Sequence, residues 1–228
     1  MARLPRLVLP GLPHLVVQRA AAGRPAFVDG EDRRAYADAL REGLAAEGVQ
    51  LHAYALTPGE VRLVLTPPDA AALARLMQHL GRRYVSAYNR RHGGQGTLWS
   101  GRFGCAALQA GAPCLDAMLW VDGASDEPGA TSAARHVGAR PDPLLTDPPA
   151  YWALGNTPFD REGAYRRLLG AGVPAARAAE LRRAVAGGWV VGGADFAAEA
   201  EAVAGRPVRP RPRGRPRRAA AEPVPKPG

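Results

Sequence analysis

Between Ala53 and Leu65 the chain reads AYALTPGEVRLVL. An apolar run meets a Thr-Pro-Gly break, and in the second run Val61, Leu63 and Leu65 alternate with Arg62 and Val64. This pattern predicts two strands joined by a tight turn, a hairpin central to its sheet. Residues two apart leave a strand on the same side, so Glu60 and Arg62 share a face. Two polar residues at that spacing mark either a wet strand face or a site.

The flanking pattern extends the reading in both directions. His14–Arg19 is a strand. Glu31–Glu47 is a helix with Tyr36, Leu40 and Leu44 on one stripe, stopped by Gly48. Val49–Leu56 and Val61–Thr66 form the hairpin. Pro67-Pro68-Asp69 breaks the chain and caps a helix from Ala70 to about Arg91, which turns Leu73, Leu76, Met77, Leu80 and Tyr84 inward. A glycine-rich turn, an extended segment Thr97–Gln109 and a short helix Ala112–Val121 follow. The order β-α-β-β-α-β-α predicts an α+β fold for residues 1–121: a ferredoxin-like antiparallel sheet with helices on one face. Residues 122–150 are rich in Gly, Ala, Pro and Asp and read as a linker. Residues 151–204 read as a small helical module with helices Ala164–Leu169, Ala175–Ala186 and Ala194–Ala204, anchored by Trp189 and Phe196. Residues 205–228, with proline at nearly every second or third position at first, predict a disordered basic tail.

Composition narrows this picture without changing it. The 228 residues are 46% hydrophobic, enough for a proper core, and no apolar run reaches the roughly 18 residues of a membrane span. The Pro-broken N-terminus is a poor signal peptide, so a cytoplasmic protein with no membrane partner is expected. Cys105 and Cys114 are too few for a disulfide framework and read as small buried hydrophobes. Net charge is +9, and GRPVRPRPRGRPRR (205–218) holds seven arginines and no acid, so the part ahead of it is only mildly basic. The sole lysine is Lys226. A GC-rich genome yields the same arginine bias, so the bias is not read as function.

Two basic regions are candidates for nucleic acid. Arg82, Arg83, Arg90 and Arg91 crowd one end of the second long helix, with Tyr88, Asn89 and His92 among them and Trp99 and Arg102 soon after. Arginines can meet phosphates while rings stack on unpaired bases; a solvated helix end has the same composition. In the tail, Arg211, Arg213 and Arg215 belong to the run GRPVRPRPRGRPRR, whose Gly-Arg-Pro triplets suit a narrow minor groove, or which forms a solubilising arm. His14, His52 and His79 are a remote candidate for a metal site; as sheet and helix histidines they read first as satisfied polar residues.

Four segments recur together, in this order, in one family: PGLPHLVVQR, LHAYALTPGEVRLVL, RYVSAYNRRHG and GTLWSGRF. On these the chain resembles the REP-associated tyrosine transposases, which act on single-stranded DNA with a His-hydrophobic-His (HUH-type) metal motif. YWALGNTPFDREGAYRRLL, GWVVGGADFAAE and the Gly-Arg-Pro-rich ending resemble that family's C-terminal extension, so the likeness runs from about Ala2 to Arg218. It implies a ferredoxin-like fold, single-stranded or hairpin DNA as partner, and a homodimer as one arrangement. It also implies a mechanism in which two strand histidines hold a divalent metal on the scissile phosphate while a helix tyrosine attacks it.

The residues that would carry this chemistry are changed. The family's Met-Pro-Asn-His-hydrophobic-His aligns with Thr57, Pro58, Gly59, Glu60, Val61 and Arg62, so both ligand histidines are absent. A carboxylate can ligate a hard cation, but a guanidinium has no lone pair to give; Glu60 and Arg62 can instead pair and fill the vacated position. The nucleophile position, in CLDAMLWVD, aligns with Trp120, and the Asn-Pro that follows the tyrosine in the family is replaced. Tyr84 and Tyr88 share a helix face and read as packing and as a DNA or surface contact. The expectation is a DNA-binding member of the family, inactive in cleavage and without a cofactor. The alternative is an active transposase with a non-standard Mg²⁺ or Mn²⁺ site built on Glu60.

Overall fold

A computed structural model describes residues 6–210. Strand β1 (His14–Arg19) leads into helix α1 (Gly30–Glu47), followed by β2 (Gln50–Leu56), β3 (Glu60–Thr66), α2 (Ala72–His92), β4 (Gly104–Ala107) and α3 (Ala112–Asp122). Local chemistry sets the boundaries. The Asp29 carboxylate accepts the N–H groups of Glu31 and Asp32 at 2.9 and 3.1 Å, and Gly48 ends α1 with φ 62°. Asp69 accepts from Ala71 and Ala72 at 2.7 and 2.8 Å just ahead of α2. In the hairpin turn the Thr57 hydroxyl donates to the Glu60 carbonyl at 2.8 Å and accepts the Glu60 N–H at 3.2 Å.

The four strands are antiparallel in the order β2-β3-β1-β4. This strand order with α1 and α2 on one face is the ferredoxin-like arrangement expected, while α3 lies on the other face. Val16, Val61, Leu63 and Leu65 face α1 and α2 and pack with Tyr36, Leu40, Leu73, Leu76 and Tyr84.

The rest of the chain is more closely tied to the sheet than its composition suggests. The stretch after α3 reads as loop but carries the short α4 (Ala133–His136) and lies along the edge of β2. Thr131 bridges to Ala55 and Leu145 to Leu51. The N–H of Leu56 donates to Ala130 at 2.7 Å, and those of Ser132 and Thr146 donate to Tyr54 and Leu51 at 3.0 and 2.7 Å. An open strand edge presents unpaired amides and carbonyls, and this segment satisfies them. Helices α5 (Pro149–Trp152), α6 (Pro158–Ala171), α7 (Ala175–Gly187) and α8 (Ala194–Ala204) follow.

The sheet's second face, formed by Leu15, Val17, Ala53, Ala55, Val64 and Ala106, is covered by α3 together with Tyr151, Tyr165, Leu181 and Val185 of α5–α7. Helix α7 approaches β4 so closely that a Cβ on Gly104 would lie 2.6 Å from Val185 Cγ1 and 2.8 Å from its carbonyl oxygen. Phe196 is buried in a third cluster with Leu7, Leu9, Val190 and Val208, whereas Trp189 is only partly buried. Cys105 and Cys114 are buried free thiols, each pushed up to about 12 by burial. The tail from Arg211 onward, with Arg211, Arg213 and Arg215, lies outside the described residues.

Candidate nucleic-acid interface

Strand alternation sends Val61, Leu63 and Leu65 into the α1/α2 core and Glu60 and Arg62 to the opposite face, toward α3. There the Arg62 Nε donates to Glu60 Oε1 at 2.6 Å, and its Nη1 donates to the carbonyl of Trp120 at 3.1 Å. The guanidinium carbon stands 3.9 Å from the centre of the Trp120 ring. Arg182 of α7 reaches the same ring from 5.7 Å. Arg19, opposite Glu60 in the β1–β3 register, meets the second Glu60 oxygen at 3.4 Å. Residues from the hairpin and from α3 thus meet in one contact, and an arginine occupies its centre.

This donor set does not fit a divalent cation. Both Glu60 oxygens face guanidinium groups, and Arg62 places a fixed positive charge beside them. Among the described residues no three His, Cys, Asp or Glu side chains are grouped to hold a metal. The remote histidine site is likewise unsuited. His14 donates from Nδ1 to the Leu12 carbonyl at 2.8 Å and accepts the Leu9 N–H on Nε2 at 3.1 Å. His52 donates to the Thr146 carbonyl at 2.7 Å and lies 2.8 Å from the Thr66 hydroxyl. Neither has a ring nitrogen to spare, and His79 stands on α2 facing Glu42.

The α2 cluster divides into residues held internally and residues left outside. Arg91 is held by Asp29, Glu31 and Asp32, and His92 donates to Asp32 at 2.9 Å. These bonds keep the Asp29 carboxyl well below the usual range, with Arg91 the main cause, and raise Arg91 in turn. Burial opposes ionisation of Asp32, yet His92, the Val28 amide and Arg91 together keep its carboxyl low. Asn89 bonds Arg24 at 2.7 Å and the Gly96 carbonyl at 2.8 Å. Arg83 pairs with Glu42 at 3.2 Å. Tyr88 and Trp99 are buried, and Tyr88 donates to the Pro25 carbonyl at 2.8 Å, so neither ring is presented to a base. Tyr84 donates to the Ala26 carbonyl at 2.6 Å within the α1/α2 core, and burial pushes its phenol up. Both tyrosines lie across the sheet from Glu60 and Arg62. Arg82, Arg90 and Arg102 are exposed, with no ion pair among the described residues.

Two features escaped the sequence reading. The first is a buried knot at the end of α3: Asp122 Oδ2 accepts from His136 Nδ1 at 2.6 Å and from the Tyr165 hydroxyl at 2.7 Å, while its Oδ1 accepts from Ser132. Burial first, and then Asp122, push the Tyr165 phenol up. The four residues span 43 positions in the chain, and only the fold unites them. The second is a basic cleft beside β1 and β4 that includes Arg19 and Arg102. Of its lining, only Arg102 was among the nucleic-acid candidates of the sequence; Arg19, two positions from Val17 and on the same strand face as Glu60, was not.

No protein-family model and no curated protein sequence matches the chain. Among solved structures, a REP-associated tyrosine transposase bound to a REP hairpin superposes with a TM-score of 0.52 at 14% identity, covering 64% of this chain and 94% of that one. The chain has the fold of a REP-associated tyrosine transposase. A Deinococcus radiodurans protein described as a candidate transposase aligns with a TM-score of 0.37 at 22% identity, over 48% of this chain and 88% of that one. Within the transposase fold, the hairpin carrying Glu60 and Arg62 faces the helix carrying Trp120. No helix among the described residues is long and apolar enough to cross a membrane.

Proposed function

We propose that this protein is a DNA-binding member of the REP-associated tyrosine transposase family that holds single-stranded or hairpin DNA without cutting it at the inherited site. The observation that carries the reading is the Glu60–Arg62–Trp120 contact. The residues that the resemblance aligns with the family's metal and nucleophile positions are a carboxylate, a guanidinium and an indole, and their contact supports this reading. An indole has no hydroxyl with which to form a phosphoester. The guanidinium supplies positive charge where the metal would, and it can bind a phosphate oxygen but cannot activate it as a Lewis acid.

DNA as the partner is supported by the net charge of +9, by the exposed arginines and by the arginine-rich arm. The solved structure of similar fold is itself bound to a hairpin. Such a role places the protein in the cytoplasm, where DNA is accessible. The test is a gel shift against single-stranded hairpins, run beside a cleavage assay in Mg²⁺ and in Mn²⁺. Retarded hairpins with no nicked product are expected. Nicking by the unmodified protein would replace this reading with that of an active transposase.

A further inference from the structure

Where the edge of β1 and β4 meets the end of α7, a cleft of about 510 Å³ opens to solvent. Its volume falls in the range of about 300–1,000 Å³ that accepts a small organic molecule or one nucleotide. Arg6, Arg19, Arg102 and Arg206 surround it, Phe103 and Trp189 add two rings, and among the described residues neither Asp nor Glu lines it. The exposed Arg19 and Arg102 at one opening, with no carboxylate among the described residues of its wall, make a place where an anion lowers the energy.

The cleft is built by the fold. Strand β1 puts Val17 at its wall and Arg19 above, because the two share a face. Arg6 lies 3.6 Å over the Phe103 ring and donates to the Phe103 carbonyl at 3.0 and 3.1 Å. Helix α7 stops at Gly188 with φ 67°, and the Trp189 N–H turns back to the Ala184 carbonyl at 2.9 Å. The indole then lies against Gly187, where a Cβ would come within 1.9 Å of its Nε1, so Trp189 takes this position only because residue 187 has no side chain. Arg19 contacts Glu60 through Nε alone, at 3.4 Å, while Arg62 holds Glu60 more closely. The other side of the Arg19 guanidinium is open to a ligand. The arginine-rich arm starts here as well: Arg206 lines the cleft, Val208 is buried with its carbonyl accepting from Val190 at 3.0 Å, and the chain runs on toward Arg211, Arg213 and Arg215.

Resting on the DNA-binding reading above, we propose that this cleft holds one unpaired nucleotide of a DNA single strand. Its phosphate lies on Arg19 and Arg102 and its base lies against Trp189. Arginines interleaved with an accessible ring are the arrangement that binds single strands, since every base has a face to stack and every linkage a phosphate. A duplex keeps its bases stacked on one another and cannot offer one to Trp189.

The test uses the full chain and a labelled twelve-thymidine oligonucleotide, with affinity measured by anisotropy over a range of salt. Arg19→Ala with Arg102→Ala should weaken binding about tenfold or more and flatten the slope of log affinity against log salt by about 1.4, at roughly 0.7 per phosphate contact on a single strand. Arg34→Ala with Arg167→Ala removes the same charge from exposed positions elsewhere and should have a clearly smaller effect. Binding should quench tryptophan fluorescence in the unmodified protein and not in Trp189→Phe, which keeps an aromatic ring in place. Equal losses from the two arginine pairs, or a quench that survives Trp189→Phe, overturn the cleft while leaving DNA binding intact. A duplex that binds as tightly with the same quench overturns the single-strand assignment. An unmodified protein that binds no oligonucleotide overturns the DNA-binding reading and the cleft with it.

Discussion

Arg62 lays its guanidinium 3.9 Å from the centre of the Trp120 ring and donates to the carbonyl of that same residue at 3.1 Å. The two residues are 58 positions apart, on a strand and on the helix that covers the sheet face opposite α1 and α2. The contact is attractive in its own right, because the face of an indole carries partial negative charge. Arg62, Trp120, Glu60 and Arg19 therefore form one packed, ion-paired cluster.

No covalent protein–DNA adduct is expected from the unmodified protein with any single-stranded hairpin, in Mg²⁺ or Mn²⁺, on a denaturing gel. Glu60→His with Arg62→His and Trp120→Tyr puts two histidines and a phenol at the positions that the resemblance aligns with the ligands and nucleophile, and is the variant in which an adduct is to be sought. Tyr84 and Tyr88 bond backbone carbonyls on the far side of the sheet. An adduct from the unmodified protein that vanished with either tyrosine would contradict the structure.

Asp122→Ala should destabilise the protein strongly, by about 3–5 kcal/mol, the usual cost of stripping one partner from a buried charged network. His136, Tyr165 and Ser132 would each lose an acceptor in a place closed to water. Urea unfolding measures it, and a loss under 1 kcal/mol would mean that the knot contributes little.

Acid should weaken the fold before the carboxylates titrate. Burial holds His14 at about 4 against an ordinary 6.5, and the Leu12 hydrogen bond only partly offsets this. Between those values the unfolded chain binds a proton that the folded one refuses, so stability is complete above about pH 6.5 and falls as pH drops toward 4. The loss from His14 amounts to about 3 kcal/mol at most. His52, lowered for the same reason, acts in the same direction. Thermal melts at pH 7.5, 6 and 5 should show a falling midpoint, and His14→Gln should reduce the drop.

Gly104→Ala should cost about 1–3 kcal/mol, because the new methyl meets Val185 at side chain and carbonyl alike. Val185→Ala in the same chain should restore only part of the loss, since the carbonyl remains. Full rescue would show that the side chain alone sets the spacing.

Deleting residues 211–228 removes five arginines of the arm and should lower affinity for single strands and flatten its salt dependence. An unchanged salt slope would reduce the arm to a solubiliser.

The sequence by itself determined the sheet domain. Its strands and helices are marked by local chemistry: alternation along Val61–Leu65, a stripe at Tyr36, Leu40 and Leu44, caps at Asp29 and Asp69, a stop at Gly48. It also determined that Glu60 and Arg62 leave β3 together and pair, since a strand's two-residue period fixes which side chains share a face. Tertiary structure decided everything that depends on which distant groups meet. A loop-like composition concealed the 122–147 segment that completes the edge of β2, because its role comes from backbone hydrogen bonding, which leaves no side-chain pattern. The arginines at the end of α2 read as a DNA surface, yet Arg91 is held by Asp29, Glu31 and Asp32 from a helix about 60 positions earlier. Tyr88 and Trp99 are buried for the same kind of reason: the residues that cover an aromatic ring are neighbours in space, not in sequence. Arg6, Arg19, Arg102, Trp189 and Arg206 come from five separate places in the chain, and only the docking of α7 on β4, at the width that Gly104 allows, brings them around one cleft.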